Sequence, residues 1–203
     1  INGRENLKII KKRTKLFNEN VSFNQLNFNF LSKLTQAKYI NKNVESFEGF
    51  IYNSDGSFKL NLNIKEDRGG RAFSYICNKA KEQNHKIFLS GSGADEIFSD
   101  YGFSGNKFYK HSNFGGLFPN DLNKIFPWPS FYSSSQEAYI AKEELIGGAY
   151  GIELRYPFLD KDVVQEFLAL DSKLKNSNYK SVLNNYLTKN KYPFEKERKI
   201  GLQ

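Results

Sequence analysis

The sequence predicts an α/β fold in which a parallel sheet is followed by a mostly helical C-terminal half. The apolar run at residues 87–89 is followed by the small-residue turn 90–93 and then by a helical pattern, the order expected of a buried parallel strand and its helix. A helical pattern over residues 73–84 leads directly into this strand. Helix, strand and helix in this order indicate part of a doubly wound sheet. From Ser133 onward the apolar spacing is helical.

The elements before this unit carry weaker signals. Residues 5–17 have an apolar face opposite basic residues, which predicts an amphipathic surface helix. Residues 26–34 mix strand and helix signals, and a helix is the prediction. The turn signal at residues 53–56 precedes alternating apolar residues at 58–64, which predicts a short strand or an extended stretch.

The C-terminal half is predicted from helix caps and periodicity. Ser135 is a candidate cap for a helix over residues 137–150, and Asp160 is a candidate cap for a helix over residues 161–170. A last helix is expected over residues 179–189. The prediction is one partial domain spanning residues 1–203, with an α/β part at 1–104 and a helical part at 105–203.

Composition narrows the class of protein. The chain has 203 residues and a net charge of +8, but its lysines are spread along the sequence, which argues against a nucleic-acid partner. An electropositive cleft for nucleotide phosphates fits the charge as well. No apolar run is long enough to span a bilayer, so no membrane association is expected. The single cysteine, Cys77, fits a reducing compartment, and a cytoplasmic location is the expectation. The start at Ile1 and the absence of methionine indicate part of a longer polypeptide.

The turn after the predicted strand has the features of a ligand site. Residues 90–93 are small, so backbone N–H groups can approach a bound anion closely. Asp95 and Glu96 follow in the first helical turn, where carboxylates are favoured and can reach a metal ion. The sequence therefore predicts a ligand site at the carboxyl end of this strand.

Three stretches resemble one enzyme family. Residues 89–98, Leu-Ser-Gly-Ser-Gly-Ala-Asp-Glu-Ile-Phe, resemble the second nucleotide-site motif of asparagine synthetases, L-S-G-(D/E)-G-(A/G/S)-D-E-(L/I/V)-F-G-G-Y. Residues 151–160, Gly-Ile-Glu-Leu-Arg-Tyr-Pro-Phe-Leu-Asp, are similar to the family's G-(L/I/V)-E-x-R-x-P-F-L-D. Residues 180–183 resemble its K-x-x-L-R, and Pro193 with residues 198–202 resembles the basic ending that follows.

The resemblance implies a fold and a reaction. The fold is a Rossmann-like, adenine nucleotide α-hydrolase-like parallel sheet with a helical C-terminal part. A substrate carboxylate, aspartate in asparagine synthetases, attacks the α-phosphate of Mg-ATP, giving an acyl-adenylate and pyrophosphate. Ammonia from a glutaminase domain or another source outside this chain then displaces AMP. The implied cofactors are ATP and Mg²⁺, and the implied partners are a small-molecule carboxylate and the ammonia source.

The resemblance also assigns roles to residues of the first motif. Ser90, Gly91 and Gly93 match the turn that approaches the nucleotide. Asp95 matches the carboxylate that helps to hold Mg²⁺ and pyrophosphate.

Four further positions bear on catalysis. Lys199 matches the lysine that neutralises phosphate charge, and Glu144 aligns with an acidic residue of the family. Ser92 stands where asparagine synthetases carry an acid that helps to handle ammonia, and a serine is a poor base near neutral pH. Asp100 replaces the second glycine of G-G-Y, which is expected to add negative charge beside the phosphates.

The departures leave three hypotheses open. The family's pyrophosphate loop, S-G-G-x-D-S, and the catalytic cysteine of the glutaminase are absent from these residues. The chain is then the C-terminal part of an asparagine synthetase, or of a related amide- or lactam-forming ligase for which Ser92 is the discriminating residue. The third hypothesis is a degenerate, non-catalytic module.

Overall fold

The computed structural model describes residues 6–17, 21–53, 55, 57–102, 105–109 and 112–196. The helices in these ranges are α1 Leu7–Leu16, α2 Phe30–Asn43, α3 Arg68–Glu82, α4 Ala94–Ile97, α5 Pro129–Tyr132, α6 Ser135–Ala149, α7 Lys161–Ala169, α8 Ser172–Asn176 and α9 Ser181–Lys189. The strands are β1 Glu48–Tyr52, β2 Phe58–Asn63, β3 Ile87–Leu89 and β4 Glu153–Arg155. Ser54, Gly56, Lys199 and the rest of the basic ending at 198–202 lie outside the described residues.

The first sheet is an antiparallel hairpin packed on α6. Strands β1 and β2 pair in antiparallel register, so the predicted strand after the turn is confirmed. Ile51 and Leu62 from the hairpin are buried with Ala138 of α6. The approach is close, since a Cβ built on Gly49 would lie 2.5 Å from the Ala138 Cβ.

The second sheet is a parallel pair. Strands β3 and β4 pair with Ile87 opposite Glu153 and Leu89 opposite Arg155, which confirms that residues 87–89 form a parallel strand. The expectation of a buried strand is wrong, because Ile87 is 53% and Leu89 74% exposed. The reason is that this sheet has two strands in the described part of the chain and only the face of Phe88 packs on the core.

Two large apolar clusters hold the helices against the strands. The first joins α2, α3 and α6 and contains Ile40, Val44, Ile64, Cys77, Ala80, Ile146, Tyr150 and Ile152. The second surrounds α4 and α7 and contains Ala94, Ile97, Phe98, Phe118, Trp128, Phe131, Val164 and Phe167. Both clusters draw on residues before and after position 105, so the two predicted parts share a core.

The helix predictions are largely confirmed, with shifted ends. Helix α7 begins after Asp160, whose carboxylate accepts N–H groups at 2.9 and 3.4 Å, as its sequence predicted. The prediction of Ser135 as the cap of α6 is wrong. The helix begins one residue earlier, with Ser134 as an N-cap residue that makes no side-chain capping bond. The Ser135 hydroxyl is buried and lies 2.7 Å from the Tyr109 hydroxyl, so it does not cap the helix.

The observed class is α/β with many helices and two small sheets. Among the described residues, no helix combines the length and apolar character needed to cross a membrane.

Candidate functional site

The turn after β3 is open on one side. The Ser90 N–H donates to the Arg155 carbonyl at 2.8 Å, which extends the parallel ladder by one bond. The Ser92 N–H then donates to the Ser90 hydroxyl at 3.1 Å and closes the turn. Gly91 is exposed, and a Cβ built there would have no heavy atom within 4 Å. A ligand can therefore reach the backbone at this point.

Gly93, predicted to bind the nucleotide, is buried, and the side on which a Cβ would lie faces Leu159. Its φ is +91°, in the left-handed region that favours glycine, and a Cβ built there would lie 2.4 Å from Leu159 Cδ2. Leu159 belongs to the second motif, in the 3₁₀ turn Pro157–Leu159. The glycine is required both by the conformation of the turn and by close packing.

Glu143 of α6 connects the two serines of the turn. The Ser90 hydroxyl donates to one oxygen of its carboxylate and the Ser92 hydroxyl donates to the other, each at 2.7 Å. Glu144, the acidic residue singled out by the resemblance, is exposed on the same helix. Burial raises the pKa of the nearby Tyr156 hydroxyl, and the charges of Glu143 and Glu144 raise it further.

Asp95 forms an ion pair with Lys180, which precedes α9. The Lys180 Nζ lies 2.5 Å from Asp95 Oδ1, and the two side chains are 26% and 19% exposed. Burial lowers the pKa of Lys180, but the attraction of Asp95 and the other neighbouring groups outweighs it, so this pKa lies above its ordinary value. The site therefore presents a partly exposed carboxylate with a cation beside it.

Glu96 is part of the interior. It is 2% exposed, and its carboxylate accepts a hydrogen bond from the Tyr101 hydroxyl at 2.9 Å. Its backbone carbonyl accepts from Trp128 Nε1 at 2.9 Å. Burial raises the pKa of Tyr101, and the charge of Glu96 adds to this shift. Glu96 thus anchors α4 to the aromatic core.

Asp100 does not place negative charge at the surface of the site, which corrects the expectation from the sequence. Its side chain is fully buried, and Lys107 Nζ lies 3.6 Å from its Oδ2. Burial lowers the pKa of Lys107 to about 8, against the attraction of Asp100. The replacement of a glycine by Asp100 is therefore compensated inside the protein.

The described residues contain no group of three or more His, Cys, Asp or Glu side chains that could hold a metal. Asp95 is a single partly exposed carboxylate. Magnesium is commonly held by one or two carboxylates together with substrate phosphates. The donor set at Asp95 fits a magnesium ion that arrives with phosphates.

A strand, an open turn and a carboxylate–lysine pair define a candidate anion-binding site in an α/β protein. Residues 130–195 match the asparagine synthase family. The chain is 26% identical over 132 residues to glutamine-hydrolyzing asparagine synthetase 1 of Arabidopsis thaliana, covering 65% of this chain and 20% of that protein. A second asparagine synthetase, from Lotus japonicus, is 26% identical over 134 residues, with the same coverage of 65% and 20%.

An archaeal relative gives a shorter match at higher identity. A protein described as glutamine-hydrolyzing asparagine synthetase 1 in Methanocaldococcus jannaschii is 31% identical over 104 residues, covering 51% of this chain and 18% of that protein. The chain spans about a fifth of the length of the curated relatives it matches. No solved structure matches it. The resemblance to asparagine synthetases is confirmed, and the matches are those of a partial synthetase domain.

Proposed function

We propose that this chain is the C-terminal synthetase portion of an asparagine synthetase. The enzyme uses ATP to convert aspartate into an acyl-adenylate, amidates it with ammonia and releases AMP and pyrophosphate. The fold is proposed to be Rossmann-like and adenine nucleotide α-hydrolase-like, with β3 and β4 as its parallel strands. The observation that carries the proposal is the Asp95–Lys180 ion pair. Asp95 follows the open turn at the end of β3, and Lys180 reaches it from the start of α9.

The first half-reaction needs positive charge near the phosphates, because charge develops on the leaving pyrophosphate. Gly91 presents its backbone to the nucleotide at the open side of the turn, and Ser90, whose N–H donates to the Arg155 carbonyl, fixes the start of that turn. Lys180 brings an ammonium group to the same place, and Asp95 would hold Mg²⁺ together with the phosphate oxygens. Bound Mg²⁺ supplies further neutralisation of phosphate charge. Lys199 is proposed as a second cation from its match to the family ending.

The second half-reaction needs a group that accepts a proton from the attacking amine. Ser92 is not a base, but its hydroxyl donates to the Glu143 carboxylate at 2.7 Å. Glu143 therefore brings a carboxylate next to Ser92, where the family pattern has its own acid. Glu143 is better placed for this role than the exposed Glu144.

The partners of the enzyme are proposed to be a small-molecule carboxylate and ammonia supplied by a glutaminase domain or another source outside these residues. A cytoplasmic location is proposed, because Cys77 is a free, buried thiol that needs no oxidising compartment.

A related amide- or lactam-forming ligase is the second candidate. It is favoured by Ser92, because the acid that asparagine synthetases carry at this position, and that helps to handle ammonia, is replaced here by a serine. The two candidates differ in the carboxylate that stimulates adenylation and in the amine that accepts the acyl group.

The test is carboxylate-dependent exchange of labelled pyrophosphate into ATP by the full-length gene product. Aspartate should stimulate exchange, and Asp95→Asn should lower it by about 10²-fold, or about 3 kcal/mol of transition-state stabilisation. Asp162→Asn, which changes an exposed aspartate of α7, is the matched control and should leave exchange unchanged.

Each outcome of the exchange assay selects one hypothesis. Stimulation by another carboxylate but not by aspartate selects the related ligase. Exchange that is absent with every carboxylate favours a non-catalytic module. Exchange that is equal in Asp95→Asn and wild type rejects the proposed role of Asp95.

A further inference from the structure

Asp100 stands where the family pattern has a glycine, and every part of its carboxylate is engaged. Its Oδ1 accepts the Gly102 N–H at 2.9 Å, and its Oδ2 accepts the Lys180 N–H at 2.6 Å. The Lys107 ammonium, 3.6 Å from Oδ2, compensates the charge. A fully buried carboxylate is tolerated when it is paired and hydrogen-bonded in this way. The Asp100 carboxylate therefore links two backbone N–H groups and one ammonium group inside the protein.

Lys180 has an unusual backbone conformation. Its φ and ψ are 46° and 40°, in the left-handed region, immediately before α9. A residue other than glycine keeps such a conformation only where its surroundings fix it. The bond from the Lys180 N–H to Asp100 provides that constraint, and the Lys180 side chain then reaches Asp95 at 2.5 Å.

The three residues form a closed circuit. The Asp100 N–H donates to the Asp95 carbonyl at 3.0 Å, the Asp100 carboxylate accepts from the Lys180 backbone, and the Lys180 ammonium contacts the Asp95 carboxylate. These three contacts join the segment after α4 to the start of α9. The position of the cation at the candidate site thus depends on a side chain that faces the interior.

We propose that Asp100, neutralised by Lys107, is a positioning residue that holds Lys180 against Asp95. Its consequence for catalysis rests on the proposed function, whereas the position of Lys180 does not. In the full-length gene product, Asp100→Ala should lower kcat for pyrophosphate exchange by about tenfold, equivalent to about 1.4 kcal/mol, because the cation is no longer held where charge develops.

The position of Lys180 can be measured directly by NMR of its side-chain methylene groups. Its Nζ lies 5.6 Å from the centre of the Tyr179 ring, so a displacement changes the ring-current shift. Lys180→Arg assigns the resonance, and Asp95→Asn gives its position when the ion pair is broken. Asp100→Ala should move the resonance toward the Asp95→Asn value.

A matched control separates positioning from general loss of stability. Asp160→Ala removes a carboxylate that accepts backbone N–H groups at the start of a different helix, α7, and should leave the Lys180 resonance and kcat unchanged. Should Asp100→Ala not fold, Asp100→Asn keeps the shape but has one acceptor oxygen for two N–H groups. It should move the resonance in the same direction by less.

The outcomes distinguish this inference from the proposed function. A Lys180 resonance that stays at its wild-type position in Asp100→Ala or Asp100→Asn overturns the inference, as does an equal displacement in Asp160→Ala. Displacement in the Asp100 variants supports the inference even if the wild-type gene product shows no exchange, a result that would reject only the proposed function.

Discussion

Gly93→Ala tests whether this glycine serves packing. The added Cβ would lie 2.4 Å from Leu159 Cδ2, and overpacking of this kind costs about 1–3 kcal/mol. The φ of +91° adds about 1–2 kcal/mol for an L-residue in the left-handed region. The expected loss in free energy of unfolding is therefore about 2–5 kcal/mol.

Urea unfolding followed by tryptophan fluorescence measures this loss. Trp128 is the single tryptophan in the sequence and is 1% exposed. Its indole N–H donates to the Glu96 carbonyl in α4, so its emission reports on the helix that Gly93 precedes. Gly91→Ala is the matched control, because a Cβ there would have nothing within 4 Å, and its effect should stay within about 0.5 kcal/mol.

The substitution Leu159→Ala isolates the steric part of the destabilisation caused by Gly93→Ala. In a Leu159→Ala background, Gly93→Ala should cost only the conformational share, so the two substitutions should couple by about 1–3 kcal/mol. Equal effects of Gly91→Ala and Gly93→Ala would refute the packing role. Strictly additive effects at Gly93 and Leu159 would refute the assigned contact.

Three other expectations can be checked separately. In the full-length gene product, Glu143→Gln should lower amine-dependent amide formation by about 10²-fold, and Glu144→Gln should change it less than about twofold; similar rates in the two variants would remove Glu143 from the reaction. The 203-residue chain should bind Mg-ATP weakly or not at all in titration calorimetry, because the S-G-G-x-D-S loop is absent from it; a Kd of about 1 μM, or about −8 kcal/mol, would reveal another phosphate site. Burial raises the pKa of the Cys77 thiol from its ordinary value of 9.0 to about 12, so the free energy of unfolding should fall as pH rises above 9. Cys77→Ala should flatten that decline, and an unchanged slope would contradict the assignment.

Local sequence patterns predict those helices and strands that have a capping residue or a clear apolar period. Helix α7 follows a capping aspartate, Asp160, and has apolar residues at helical spacing, so its start is predicted within one residue. The strand, turn and helix around residues 87–97 were predicted for the same reason. Exposure of Ile87 and Leu89 was not predictable, because an apolar run indicates a buried strand whether or not a second layer covers it.

Contacts between distant segments were beyond sequence reasoning. Glu143 contacts Ser92, which lies 51 positions earlier in the chain. No sequence pattern distinguishes Glu143 from the neighbouring Glu144 in α6. Lys180 was noted within a motif, but its contact with Asp95 requires the path of the chain between α4 and α9. Strand β4 has three residues, too few for a period to be recognised.

The turn at residues 90–93 has an exposed side and a buried side, and substitutions on the two sides should have different effects on activity and stability. On the open side, Gly91 is exposed, and Asp95 keeps 19% of its side chain exposed. On the inner side, Gly93 packs on Leu159 and Glu96 is buried. Substitutions on the inner side should lower activity and the free energy of unfolding together, because they loosen the contact between the two motifs. Loss of exchange with unchanged unfolding is expected only from the open side, and that separation is what identifies residues that act on the nucleotide.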